Sequence, residues 1–118
     1  MPGPPTIFQS ILAHPKRHAY SLASLTKCTT GAAVIPTELI IAMRDELKIE
    51  TIITAYGLSE SCGLSTMCRI GDPPETIAKT SGRAIPGVEV RCADTGGNTV
   101  PPGEQGEILV RGFHVMRG

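Results

Sequence analysis

The sequence predicts an α/β fold, in which a partial parallel sheet with flanking helices is followed by a small antiparallel β region. The first observation is a β-branched run at residues 51–55, which is typical of a buried strand. The second is the helical spacing of apolar residues at 36–48, just before that strand. The third is the alternation of apolar and polar residues at 88–92, the pattern of a half-exposed strand. We therefore expect an α/β part over residues 1–63 and a mainly β part over residues 64–118.

The first part contains one complete βαβ unit. A helix is predicted over residues 6–13, ending before the next proline, because proline disfavours helical geometry in the residue before it. A strand at 25–29 then leads through a turn at 30–33 into the helix at 36–48. The apolar face of that helix is formed by Leu39, Ile40, Met43 and Leu47. Because the next element is again a strand, we expect two parallel strands with a right-handed crossover.

The second part is predicted from turn signals between short strands. Residues 70–75 have turn composition, and Asp72, which precedes two prolines, is expected at the surface. Residues 80–82 form another predicted turn. Residues 94–98 also have turn composition, and they separate the strand at 88–92 from a further strand at 106–110. This arrangement indicates an antiparallel pair.

Composition limits the functions that the chain can have. It has 118 residues, with 11 basic and 11 acidic side chains. Its net charge is therefore zero and does not favour binding to nucleic acid. Its four cysteines form no C-x-x-C pair, which indicates reduced thiols and a cytoplasmic protein. No apolar run is long enough for a membrane span, and no signal peptide precedes the first helix.

The candidate site follows the strand at 51–55. Tyr56 and Gly57 end the strand, and Ser59 and Glu60 come directly after the turn. Ligands of open α/β sheets bind beyond the carboxyl ends of the strands. An aromatic ring, a hydroxyl and a carboxylate at such a place therefore make a plausible binding site.

Several segments resemble one known family. The Tyr56-Gly57-Leu58-Ser59-Glu60 segment is similar to the Tyr-Gly-x-Thr-Glu signature of adenylate-forming enzymes, which include acyl-CoA synthetases, luciferases and peptide-synthetase adenylation domains. The segment from Thr30 to Pro36 resembles the small-residue stretch that lies along the adenine in that family. Two later segments, 82–87 and 106–112, resemble further blocks of the same domain in the same order. The resemblance covers nearly the whole chain.

The resemblance implies a role for each candidate residue. Glu60 would be a ligand of Mg²⁺, and Ser59 would donate a hydrogen bond to a phosphate of ATP; both would be catalytic. Tyr56 and Gly57 would contact the adenine side of ATP or AMP. The bend at Gly31, Ala32 and Ala33 would let the base approach the backbone, although from the residues alone it is a tight strand-to-helix turn. The family usually has threonine at the position of Ser59, so the hydroxyl is kept and a methyl is lost.

The implied function is that of an acyl-CoA synthetase. Such an enzyme activates a carboxylic acid, here expected to be a fatty acid, with ATP to acyl-AMP and passes the acyl group to coenzyme A. The alternatives are an aryl-acid or amino-acid adenylation domain, or a nucleotide-binding fragment without catalysis. We expect the chain to be an internal fragment that is inactive alone, because the family's phosphate loop, ribose-binding aspartate and C-terminal lid are absent from it.

Three further expectations come from particular residues. Gly57 to Ser61 nearly matches the G-x-S-x-G elbow of hydrolases, but its last glycine is replaced and no histidine has a triad-like context. Arg111 is predicted to bind either a phosphate or a neighbouring acid. A fragment with exposed sheet edges is expected to self-associate.

Overall fold

The chain divides into two compact units, which interleave along the sequence. A computed structural model describes residues 1–117. The first unit comprises Met1–Tyr56 and Thr66–Arg83, and the second comprises Gly57–Ser65 and the residues from Ala84 onward. Residues 66–83 thus belong to the first unit.

The larger sheet is mixed and four-stranded, and all of its residues except Ala84 belong to the first unit. Strands β1 (Lys27–Thr30) and β2 (Thr51–Tyr56) are parallel, in a register that pairs Thr30 with Thr54. This confirms the parallel pairing predicted for the βαβ unit. Strand β3 (Thr66–Met67) runs antiparallel to β2, and β4 (Arg83–Ala84) completes the order β1-β2-β3-β4. Neither β3 nor β4 was predicted, since each is only two residues long and carries no readable alternation.

Three α-helices accompany the sheet. Helix α1 (Pro5–Ala13) agrees with the prediction, and α2 (Thr37–Asp45) is shorter than predicted. The chain leaves α2 early and passes through a left-handed conformation at Lys48, with φ of 57°, before entering β2. Helix α3 (Pro74–Lys79) begins inside a segment predicted as turn. The prediction was wrong there because proline ends helices but is also well suited to a first helical turn.

The core of the first unit is aliphatic and is built mainly between the helices and the sheet. The predicted face of the second helix, Leu39, Ile40, Met43 and Leu47, is buried as expected. The other buried members are Phe8, Cys28, Ile35, Ile49, Ile52, Cys68 and Ile77. Burial of this surface is the main force that stabilises the unit.

Asp72 departs from its predicted place at the surface. Asp72 is buried, with an exposure of only 8%. One carboxylate oxygen accepts a hydrogen bond from the Arg69 backbone N–H at 2.7 Å, and the other pairs with the Arg83 guanidinium at 3.0 Å. The turn therefore folds its acid inward, where a donor and a cation offset the cost of burial.

The second unit contains a two-stranded antiparallel sheet. Strand β5 (Val88–Ala93) pairs with β6 (Glu107–Gly112) along six residue pairs, which confirms the predicted antiparallel pair. In the turn after β5, the carboxylate of Asp94 accepts hydrogen bonds from the backbone N–H groups of Asn98 and Gly96. These bonds, that from the Asn98 backbone most of all, hold the pKa of Asp94 below its ordinary value.

Two 3₁₀ turns complete the structure, at Arg17–Ala19 and Ser59–Ser61. All four cysteines are free thiols, as predicted, and Cys28 and Cys68 are buried. Burial raises the pKa of the Cys28 thiol to about 11. No helix within residues 1–117 has both the length and the apolar character needed to cross a membrane.

Candidate functional site

The bend at Gly31–Ala33 lies at the carboxyl edge of the parallel pair. Because Thr30 is in register with Thr54, the two strands end at the same edge, and the bend lies beside Ala55. A Cβ placed on Gly31 would meet only the Ala55 carbonyl oxygen, at 3.7 Å. The absent side chain of Gly31 therefore leaves open space rather than relieving a clash.

Ala32 in the same bend adopts a left-handed backbone, with φ of 60°. Such a conformation costs a residue with a Cβ about 1–2 kcal/mol. Backbone strain of this kind is concentrated at functional sites. Both Ala32 and Ala33 are exposed, so the strain places two small side chains at the surface of the bend.

A shallow cavity of about 200 Å³ opens next to this bend. Its remaining walls come mainly from the end of β2, the end of α3 and the two residues that follow α3. The cavity is lined by Gly31, Ala32, Ala33, Ile35, Thr54, Ala55, Ala78, Lys79, Thr80 and Ser81. The sequence analysis had assigned Thr80 and Ser81 only to a turn and had not singled out Lys79. The signal that it missed is the short helix α3, which returns these polar residues to the edge of the sheet.

Thr54 fixes one wall of the cavity to another. Its hydroxyl lies 2.9 Å from the carbonyl oxygen of Ile77 and 3.2 Å from that of Thr80. Both carbonyls are at the carboxyl end of α3, where backbone acceptors have no partner inside the helix. A side chain in β2 thus satisfies the end of the helix that forms the opposite wall.

Tyr56 is the last residue of β2 and is half-buried. It pairs with Thr66 of β3, which fixes its backbone at the edge of the sheet. Gly57 follows as the first residue of the second unit. A Cβ at Gly57 would lie 2.4 Å from the Gly63 carbonyl oxygen, so only glycine allows this close approach of two backbone segments.

Ser59 and Glu60 lie in the Ser59–Ser61 turn, and both are exposed. The side chain of Glu60 forms no hydrogen bond or ion pair with any residue in the described part of the chain. Residues 1–117 contain no group of three or more His, Cys, Asp or Glu side chains placed to hold a metal ion. A single carboxylate nevertheless suits Mg²⁺, which is commonly bound by one or two carboxylates together with substrate phosphates and water.

The predicted site residues thus form two groups, one in each unit. Gly31, Ala32 and Ala33 lie together with the end of β2 in the first unit, which ends at Tyr56. Gly57, Ser59 and Glu60 form the turn of the second unit. Arg111 belongs to neither group, because its guanidinium pairs with Glu89 on the neighbouring strand. Of the two roles predicted for Arg111, the structure shows the ion pair.

The chain is similar to known proteins along its whole length. The family of AMP-binding enzymes matches residues 1–118, the whole chain. The chain is 52% identical over its full length to a 3-(7a-methyl-1,5-dioxo-octahydro-1H-inden-4-yl)propanoyl:CoA ligase of Rhodococcus jostii, and spans 21% of that protein. It is 46% identical to the ligase of the same name from Mycobacterium tuberculosis, again over all 118 residues and 21% of the relative.

A solved structure shares the fold. The crystal structure of an anthranilate CoA ligase in complex with anthranoyl-AMP superposes on 97% of this chain, with a TM-score of 0.82 and 28% identity, and the matched part is 21% of that protein. The chain therefore spans about a fifth of the length of the proteins that it matches. The match over all 118 residues and the identity to two CoA ligases lead to one conclusion. The chain belongs to the family of AMP-binding enzymes.

Proposed function

We propose that this chain is the nucleotide-binding part of a longer, AMP-forming acyl-CoA synthetase. The observation that carries the proposal is the bend of small residues beside the cavity at the carboxyl edge of β1 and β2. Such an edge is where open α/β sheets bind their ligands. The identity to two CoA ligases supports coenzyme A as the acceptor.

The proposed reaction has two steps. A carboxylate oxygen of the acid attacks the α-phosphorus of ATP, and pyrophosphate leaves with the electrons of the broken P–O bond. The thiol of coenzyme A then attacks the acyl carbon, and AMP leaves as the thioester forms. ATP and coenzyme A are abundant in the cytoplasm, and four free thiols suit that reducing compartment.

Each site residue has a proposed task in the first step. Gly31, Ala32 and Ala33 provide a flat surface against which adenine lies, and Tyr56 offers its aromatic ring to the purine. Ser59 donates a hydrogen bond to a phosphate oxygen. Glu60 would hold Mg²⁺, which when bound supplies positive charge against the phosphates.

The acid is proposed to be a carboxylate carried on a ring system. The sequence analysis favoured a fatty acid on resemblance alone. The two relatives are named for a propanoyl group on a fused bicycle, and their identity of 52% and 46% favours that kind of acid over a straight chain. Aryl and amino acids are the less favoured alternatives.

ATP–pyrophosphate exchange by the full-length enzyme tests the proposal. Glu60→Gln removes the charge and keeps the shape, and we expect it to lower exchange about 100-fold or more, the usual cost of one lost electrostatic contact. The matched control is Glu50→Gln, at another exposed acid. A rate of exchange by Glu60→Gln within about twofold of the unmodified enzyme would contradict the proposal. Such a change is smaller than the tenfold effect that corresponds to about 1.4 kcal/mol.

Two further measurements separate the alternatives. Exchange measured with a panel of four acids identifies the substrate class. The panel consists of the ring-bearing propanoate for which the two relatives are named, a fatty acid, an aryl acid and an amino acid. Exchange by the 118-residue chain alone is expected to be absent, and its presence would contradict the proposed division of labour with the rest of the enzyme.

We also propose that the isolated chain self-associates through β5 and β6. One edge of the first sheet is partly covered, because Gly3 and Thr29 pair through their backbones at 3.0 Å. On the two-stranded sheet, the described residues show a comparable bridge only at one end of β5, between Ala93 and Thr99, and none to β6 besides its pairing with β5. A monomer in sedimentation at high concentration would contradict this.

A further inference from the structure

A chain of buried hydrogen bonds lies behind the Ser59–Ser61 turn, within the second unit. The hydroxyl of Ser65 lies 2.9 Å from the hydroxyl of Ser61 and 3.3 Å from Nε2 of His114. All three residues are buried, with exposures of 0% for Ser65, 5% for Ser61 and 8% for His114. The sequence analysis had attached no role to Ser65 or His114.

The available protons give this chain a direction. The Ser61 hydroxyl donates to the Leu58 carbonyl oxygen at 3.1 Å, and the Ser65 hydroxyl donates to Ser61. With its one proton directed to Ser61, the Ser65 hydroxyl accepts from the imidazole. Nε2 of His114 therefore carries the proton and begins a relay that runs from His114 through Ser65 and Ser61 to Leu58.

In this arrangement the serine–histidine pair does not act as a nucleophile and its base. A catalytic base must accept the hydroxyl proton, whereas this imidazole donates to the hydroxyl. Ser65 is also fully buried, so no substrate reaches it. The hydrogen bonds of this pair therefore stabilise the local structure and do not activate a nucleophile.

The relay ends on the turn that carries the candidate catalytic residues. Ser61 Oγ also accepts a hydrogen bond from the Leu58 backbone N–H at 3.0 Å. Two residues beyond His114, the backbone N–H of Met116 donates to the Glu60 carbonyl oxygen at 2.8 Å. The segment 114–116 therefore holds the turn twice, once through a side-chain relay and once through a backbone bond to Glu60 itself.

Gly112 makes room for the imidazole. A Cβ on Gly112 would lie 2.9 Å from Nδ1 of His114 and 3.1 Å from its Cε1. Nδ1 is buried and has no hydrogen-bond partner among the described residues. The ring is thus held by packing on one side and by a single directed hydrogen bond on the other.

We infer that His114 is a positioning residue, which acts through Ser65 and Ser61 to hold Ser59 and Glu60 in the geometry that binds the Mg²⁺ and phosphates of ATP. This inference rests on the proposed function of Glu60. It assigns His114 no contact with substrate. His114 restricts the conformations of the turn before ATP binds. Binding to a pre-ordered turn then costs less conformational entropy.

The test uses the full-length enzyme and compares His114→Leu with His114→Gln. Leucine removes the donor, whereas the glutamine amide can place an N–H near the position of Nε2. We expect His114→Leu to raise the KM for MgATP about tenfold, as for a coupling energy of 1.4 kcal/mol. We expect His114→Gln to recover most of that loss, while the KM for coenzyme A stays unchanged in both variants. The control is His18→Leu, at an exposed histidine.

Ser65→Ala provides a second way to break the relay without adding bulk. If His114→Leu and Ser65→Ala lower only the yield of folded enzyme and leave the KM for MgATP unchanged, the inference is overturned. The same holds if His18→Leu changes that KM as much as His114→Leu does.

Binding of ATP with and without Mg²⁺ separates this inference from the proposed function. His114→Leu should reduce the factor by which Mg²⁺ tightens ATP binding, and should have no such effect when Glu60 is already replaced by glutamine. If Glu60→Gln alone leaves that factor unchanged, the proposed role of Glu60 fails. If Glu60→Gln abolishes it but His114→Leu does not alter it, only the positioning role fails.

Discussion

Thr54→Val tests how the walls of the cavity are held together. Thr54 is buried, with an exposure of 4%. Its hydroxyl donates to the carbonyl oxygens at the end of α3. Valine keeps the branched shape but removes this donor from the buried carbonyl oxygen of Ile77 and the part-buried one of Thr80. Since one proton serves both acceptors in turn, the cost is that of one hydrogen bond, about 1–2 kcal/mol. We expect the end of α3 to open more often by that amount.

Hydrogen–deuterium exchange of the full-length enzyme measures this opening locally. The backbone N–H groups of Ile77 and Thr80 donate to the carbonyl oxygens of Pro73 and Thr76, and they should exchange about 5–30-fold faster in Thr54→Val. Thr54→Ser keeps the hydroxyl and should exchange nearly as slowly as the unmodified protein.

Thr30→Val is the matched control on the neighbouring strand. Thr30 is the register partner of Thr54 and is 2% exposed, but its hydroxyl has no hydrogen-bond partner among the described residues. Its replacement by valine should therefore leave the exchange at α3 unchanged. Unchanged exchange in Thr54→Val, or equal acceleration in both variants, would refute the role given to the Thr54 hydroxyl.

Three further predictions concern other parts of the chain. Gly57→Ala should abolish ATP–pyrophosphate exchange by the full-length enzyme, because its Cβ would lie 2.4 Å from the Gly63 carbonyl oxygen; exchange that stays at the unmodified rate would show that the close approach is dispensable. Asp72→Ala should lower the melting temperature, because the guanidinium and backbone N–H that its carboxylate binds lose their acceptor; an unchanged melting temperature would mean that solvent replaces them. Alkylation at pH 8, followed by mass spectrometry, should modify exposed Cys62 well before Cys28, whose pKa is raised to about 11.

The raised pKa of Cys28 also fixes the sign of a pH effect. An unfolded thiol titrates near 9.0 and the folded one near 11, so the folded state holds its proton more tightly. The contribution to stability is complete below pH 9 and is lost as the pH rises toward 11. Cys28→Ala should remove that part of the alkaline loss in a melting-temperature series.

The parts of the fold with long, regular patterns were predictable from the sequence. The β-branched residues of β2 indicate a strand, and the spacing of the apolar residues of α2 indicates a helix. The parallel βαβ unit could therefore be predicted from these two patterns. The pairing of β3 with β2 could not, because two residues carry no period and the contact depends on the chain returning from the second unit. α3 was missed because its prolines were taken as breakers, whereas one of them begins the helix.

The candidate site was predictable in the same uneven way. The bend at Gly31–Ala33 could be placed at the carboxyl edge of β1 because a strand-helix-strand order determines that edge. The relay from His114 could not be found, since it joins residues that are 49 positions apart in the sequence. No local pattern marks Ser65 or His114, and only the folded second unit brings them together.

The interleaving of the two units has a consequence for biosynthesis. The chain leaves the first unit after Tyr56 and re-enters it at Thr66, so the strand next to β2 emerges from the ribosome only after the 57–65 excursion. That excursion belongs to the same unit as the residues from Ala84 onward, which are translated later still. During translation the turn with Ser59 and Glu60 is therefore made well before His114, the first residue of its hydrogen-bond chain. The ordering of this turn must accordingly wait until residues 114–116 have been translated, since His114 and Met116 provide the hydrogen bonds that hold it.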